Sequence, residues 1–217
     1  SHMQFNVDRN SSIEPSLAEM TVAALKEKKK KNSRGFLLMV EGAKIDLAHH
    51  YNNAFRALDE TLALDEAIKA ALANIGKILK FNGFLVFKIQ FILDLTETLV
   101  VVTADHASSM VYSGFATPKN YSVLGFDKYV SNIDGKAYQL LTYASGIGYS
   151  NYSESASLHD HKNSLHKATI PSSWANHAAS DVPLYAVGPM ANLLFTGTFD
   201  QTYLSHAIAF SMCLFQY

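Results

Sequence analysis

Glu41, Asp46 and His50 lie close together, and Asp105 and His106 stand side by side further along the chain. Carboxylates and imidazoles are both zinc ligands. Asp46 and His50 are four residues apart, which puts them on one face of a helix, where the pair can hold one ion. Glu41 directly follows the apolar run 35–40, and Asp105-His106 follow the β-branched run 98–103. In open α/β sheets ligands and metals gather beyond the carboxyl ends of strands, so both tips could face one site. Taken singly, a strand-end aspartate is more often a turn or cap residue, and an Asp-x-x-x-His pair is more often exposed. Taken together, the five point to a polynuclear metal centre. His159-Asp160-His161, with His166 nearby, has metal-like spacing but reads as a solvated loop, and His49 reads as the outward-facing member of its pair.

The elements that must position these residues follow from periodicity. Pro15 suits the first turn of a helix carrying Leu17, Met20 and Ala24 into the Lys28–Lys31 run. Residues 35–40 read as a buried strand. A single helix is expected from near Asp46 through Ala54, Leu58, Leu62, Ile68 and Leu72, with Gly76 as its stop. Residues 98–103 are the clearest strand and suit a parallel sheet covered on both faces. Residues 182–187 are a further strand, and 205–214 a closing helix. The alternation argues for an α/β fold. Residues 117–175, rich in Tyr, Ser, Asn and His, read as an irregular excursion. Residues 77–95, apolar and rich in Phe and Ile, do not fit the pattern. They are too short for a membrane span and are open to three readings: an extra core strand, a surface hairpin, or a translated intron.

Composition sets outer bounds. With 217 residues, 48% hydrophobic and 17% charged, the chain can fill a globular core. A net charge of -1 favours neither nucleic acid nor an anionic membrane. Cys213 is the only cysteine, so no disulfide forms within the chain. Acceptor triplets at Asn10, Asn120 and Asn151 permit glycosylation without requiring it.

The ordered motifs carry a resemblance. Phe36-Leu37-Leu38-Met39-Val40-Glu41-Gly42, with Lys44-Ile45-Asp46 and His49-His50, resembles the VEGGRID…HH signature of metazoan alkaline phosphatases. Thr103-Ala104-Asp105-His106 is identical to that family's TADH motif. His177-Ala178 with Asp181-Val182 resembles its HAGEDV segment, and Gly188-Pro189-Met190-Ala191 fits the family stretch directly after that segment. The resemblance runs from near Asp8 to the end of the chain, with 76–97 as an insertion and 117–175 as a loose, crown-like region. It implies one C-terminal portion of an alkaline phosphatase domain over 1–217, part of a doubly wound, mainly parallel sheet with flanking helices. It also implies that Asp46, His50 and His177 bind a first zinc, Asp105 and His106 a second, and Glu41 a magnesium. Glu14 falls where animal members have a calcium ligand.

The implied activity is hydrolysis of small phosphomonoesters through a phosphoserine. The family's nucleophilic serine, phosphate-clamping arginine, bridging aspartate and a further magnesium ligand belong to its N-terminal half, which this sequence does not match. The expectation is therefore a chain inactive alone, with a truncated or mis-spliced non-catalytic metal-binding product as the alternative. A homodimer and an extracellular or cell-surface location are implied, and lipid anchoring is common in animal members. Trp174-Ala175-Asn176, Ala179-Ser180 and Leu47-Ala48 depart from the family pattern around the ligands.

Overall fold

The computed structural model describes residues 2–31, 35–75, 95–114, 122–149 and 162–214. The expected insertion and the His159-Asp160-His161 triplet lie outside these residues, apart from the turn at 95–97. Two compact units are present: Ser1–Leu17, Val40–Glu66 and His106–Ser180 form the first, and Ala18–Met39, Ala67–Asp105 and Asp181–Tyr217 the second.

The first unit begins with a 3-10 turn, Asn6–Asp8, followed by helix α2 (Lys44–His50) and the first part of α3 (Ala54–Ile75). One continuous helix was expected here; the chain instead breaks at Tyr51–Asn53. Asn52 takes a left-handed backbone (φ 52°). Its N–H bonds to the His49 carbonyl at 2.8 Å, and the Asn53 N–H to the Ala48 carbonyl at 3.0 Å. This is the double closure of a Schellman motif, in which the left-handed residue ends the helix. Asn53 then starts α3, its Oδ1 accepting from the Arg56 N–H at 2.9 Å.

The sheet elements of this unit are β2 (Ala107–Ser108), β3 (Met110–Tyr112), β4 (Phe126–Val130), β5 (Ala137–Gln139), β6 (Leu141–Gly146), β7 (Ala168–Pro171) and β8 (His177–Ala178). The stretch read as irregular thus carries strands. Strands β4, β5 and β7 are three to five residues long, β4 and β5 are joined by a turn in which Gly135 supplies a positive φ, and β6 (LTYASG) mixes small and polar residues, so periodicity could not reveal them. Strand β6 is central, antiparallel to β3 and parallel to β7. Ala54, Leu141, Tyr143, Ala168 and Ala175 make the core around it.

An N-terminal strap is tied to this unit. The Asp8 carboxylate pairs with Arg56 and Lys162, each at 2.5 Å. Phe5 lies under both Lys44 and Arg56, each cation 4.5 Å from the ring centre.

The second unit holds α1 (Leu17–Lys31, beginning two residues after Pro15) from Ala18 onward, the rest of α3 from Ala67, β1 (Val100–Val102), β9 (Tyr185–Val187), α4 (Ala191–Leu194) and α5 (Gln201–Ser211). Strands β1 and β9 pair antiparallel. Among the described residues β6–β7 is the parallel pair and the other four pairings are antiparallel, so mixed helices and strands are present without the expected mainly parallel sheet. Helix α5 starts four residues before the expected 205, because the Asp200 side chain caps it by accepting from the Thr202 N–H. Residues 35–40 join no ladder among the described residues, contrary to the expected buried strand. Leu37 and Met39 are 65% and 85% exposed.

Candidate metal centre

Helix α2 delivers Asp46 and His50 to one side, as the four-residue spacing requires. Strand β8 delivers His177 to meet them. It is held by pairing with β2 and by the Ser109 N–H donating to the Asn176 carbonyl. His50 Nε2 is 3.0 Å from Asp46 Oδ2 and 3.2 Å from His177 Nε2, and His177 Nε2 is 3.3 Å from Asp46 Oδ1. Ligands at ordinary zinc distances in a tetrahedron are about 3.3 Å apart. The spacing and chemistry of these donors therefore suit zinc. Each of the three side chains keeps part of its surface open, 27% for His50, 39% for Asp46 and 46% for His177.

The ring of His50 is oriented from behind. Its Nδ1 lies 2.7 Å from the Ala175 carbonyl oxygen. A carbonyl only accepts, so Nδ1 carries the hydrogen and Nε2 presents a lone pair toward Asp46 and His177. This is the arrangement that fixes the tautomer of metal-binding histidines. The Ala175 N–H in turn donates to the His50 carbonyl at 2.9 Å. These partners were not visible in the sequence, because nothing there brings residue 175 to residue 50.

His106 stacks on the His177 ring, with centroids 3.4 Å apart and 17° between the planes. It is beside the cluster and not one of its three convergent members. Glu41 is exposed just before α2 and is likewise not a member. Asp105 ends a segment of the second unit. Glu14, tied by an N–H from Gln4 at 2.8 Å, serves the strap.

Two histidines depart from expectation. His49 is not outward-facing: its Nδ1 is 2.9 Å from the Tyr143 hydroxyl, and burial pushes its pKa down to about 4. One step along a helix turns a side chain by about 100°, which carries His49 away from the direction of His50 and onto β6. Burial also raises the Tyr143 phenol. His166 is not in a solvated loop. It is 1% exposed, and its N–H donates to the Asn52 carbonyl at 2.8 Å.

The alkaline phosphatase family model matches residues 1–214. Among curated relatives, the chain is 35% identical to the tissue-nonspecific alkaline phosphatase isozyme of Felis catus, over 98% of this chain and 37% of that protein. It is 32% identical to an alkaline phosphatase of Gadus morhua, over 99% of this chain and 42% of that protein. It is 31% identical to alkaline phosphatase 4 of Drosophila melanogaster, over 98% of this chain and 35% of that protein. The chain thus spans well under half the length of these relatives.

Proposed function

Because the chain belongs to the alkaline phosphatase family, we propose that it supplies the metal-binding portion of a phosphomonoesterase. The observation that carries this reading is the convergence of Asp46, His50 and His177 at separations suited to one zinc. We assign these three to a first zinc, Asp105 and His106 to a second, and Glu41 to a magnesium; the last two assignments rest on the sequence motifs. When bound, such cations supply Lewis-acid stabilisation of phosphoryl charge.

The chain's own residues hold the donors ready. Asp46 faces both imidazoles with one oxygen each, Ala175 fixes the His50 tautomer, and His106 buttresses the His177 ring by stacking. A phosphoserine route would divide the displacement into two steps. Its serine matches no position in these 217 residues, so this polypeptide by itself is expected to turn over negligibly. Assembly as a homodimer, a doubly wound sheet in the assembled protein, a crown formed by 117–175, and an extracellular or cell-surface location with lipid anchoring belong to the same proposal. Among the described residues no helix is long and apolar enough to cross a membrane.

Hydrolysis of p-nitrophenyl phosphate at alkaline pH, with zinc and magnesium, tests the reading on the intact protein. His177→Ala should remove most of the turnover, and an unchanged rate would refute the assignment. Turnover by the 217-residue polypeptide comparable to the intact protein would refute the claim that it is inactive alone. A second reading, a non-catalytic product, draws on the exposed Leu37 and Met39 in a segment without a ladder partner among the described residues. Such apolar extended segments promote association. A monodisperse, cooperatively melting polypeptide would count against it.

A further inference from the structure

We propose that Asn52 is a positioning residue that sets the separation of His50 and His177; the inference rests on the metal-centre reading. Asn52 is completely buried, and each of its polar groups is engaged. Its backbone N–H closes the end of α2 on His49, and its carbonyl accepts from the His166 N–H. Its side-chain Nδ2 donates to the Ser145 carbonyl at 3.1 Å, and its Oδ1 accepts from the Gly148 N–H at 2.9 Å. The end of β6 is shaped around this amide: a Cβ on Gly146 would collide with the Asn52 side chain, and one on Gly148 with the His166 carbonyl.

Ser145 completes a bracket. While its carbonyl is held by Asn52, its Oγ accepts from the Asn176 N–H at 3.1 Å. Asn52 lies two residues after His50 and Asn176 one residue before His177, so one serine on β6 fixes both ligands from behind. The left-handed φ of 52° explains why an asparagine stands here: it tolerates that backbone and also carries an amide, which glycine lacks. The direct contacts between His50 and Ala175 then operate across a gap already fixed by Asn52.

The test measures Zn2+ affinity by chelator competition and the visible spectrum of the Co2+-loaded intact protein, each beside a melting curve. Asn52→Gly keeps the backbone and removes the amide. It should raise the zinc Kd by about 10–100-fold, the range for losing a partner behind a metal ligand, and weaken the cobalt bands. Ser145→Ala, which breaks the arm to Asn176 and keeps the carbonyl held by Asn52, should shift both readouts the same way. Asn52→Asp, which keeps the acceptor for the Gly148 N–H and loses the donor to Ser145, should do so too and decides the matter if Asn52→Gly does not fold. Asn53→Ala, which loses the cap of α3, should lower the melting temperature and leave zinc affinity and cobalt spectrum unchanged. A folded Asn52→Gly, Asn52→Asp or Ser145→Ala variant with the wild-type Kd and spectrum would overturn the proposal. If the unsubstituted protein fails to bind zinc, or His177→Ala leaves its cobalt spectrum intact, the metal-centre reading itself fails and takes the positioning role with it.

Discussion

Lowering the pH from 7.5 to 5.5 should weaken the fold in a way traceable to His166. This ring is 1% exposed, and its Nδ1 is positioned to accept from the Ala54 N–H at 3.4 Å. Burial holds its pKa below the ordinary histidine value of 6.5, against the opposing backbone groups of Asn52 and Leu124. The unfolded chain takes up a proton near pH 6.5 and the native state does so only further down. The contribution is therefore fully present above 6.5 and is lost as pH falls toward the folded value. If the native imidazole stays neutral throughout, linkage gives a loss of about 1.4 kcal/mol between pH 7.5 and 5.5. Urea denaturation of the wild type and His166→Met at pH 7.5, 6.5 and 5.5 isolates the effect, because other titrating groups cancel in the difference. The wild type should lose up to about 1.4 kcal/mol more than the variant over this range. Equal losses would show that His166 titrates alike in both states and would refute the buried, neutral assignment.

Other outcomes rest on the same contacts. Asp8→Asn should cost about 1 kcal/mol at pH 7, because two ion pairs at a partly exposed carboxylate are lost. Hydrogen bonds from Lys162 and Arg56 hold the Asp8 pKa below its usual 3.8, so the wild-type advantage should persist above that value and vanish as pH falls through the folded one; denaturant titrations at pH 7 and at strongly acid pH check this. Tyr143→Phe removes the hydroxyl bonded to His49 and should cost about 1–2 kcal/mol, a drop of about 2–8 °C in Tm by calorimetry for a chain of this size. Gly148→Ala drives a methyl into the His166 carbonyl and should destabilise by about 1–3 kcal/mol, read by the same melt.

How much the sequence revealed depended on how local each signal was. The Asp46–His50 pairing needed only helix geometry, and the structure places both on one face of α2. The run 98–103 announced β1 through its β-branched residues, though not its antiparallel partner, which lies more than eighty residues on. The elbow at Asn52 was hidden because apolar spacing continues smoothly from α2 into α3; the cue was Asn-Asn between them, matched to Gly146 and Gly148. His49 was misread because only the Asp46 face was considered, while its partner Tyr143 sits on a strand, LTYASG, whose small and polar residues carry no β-branched run. Of the six proposed ligands, three meet in space: Asp46 and His50 through local periodicity, His177 through the β2–β8 pairing.

The zinc environment is the most direct test of the metal centre. X-ray absorption at the zinc edge of protein loaded with one equivalent should give nitrogen and oxygen neighbours at about 2.0–2.2 Å, with multiple scattering from two imidazoles that falls to one in His177→Ala. A spectrum without imidazole scattering, or one unaltered by that substitution, would contradict the account.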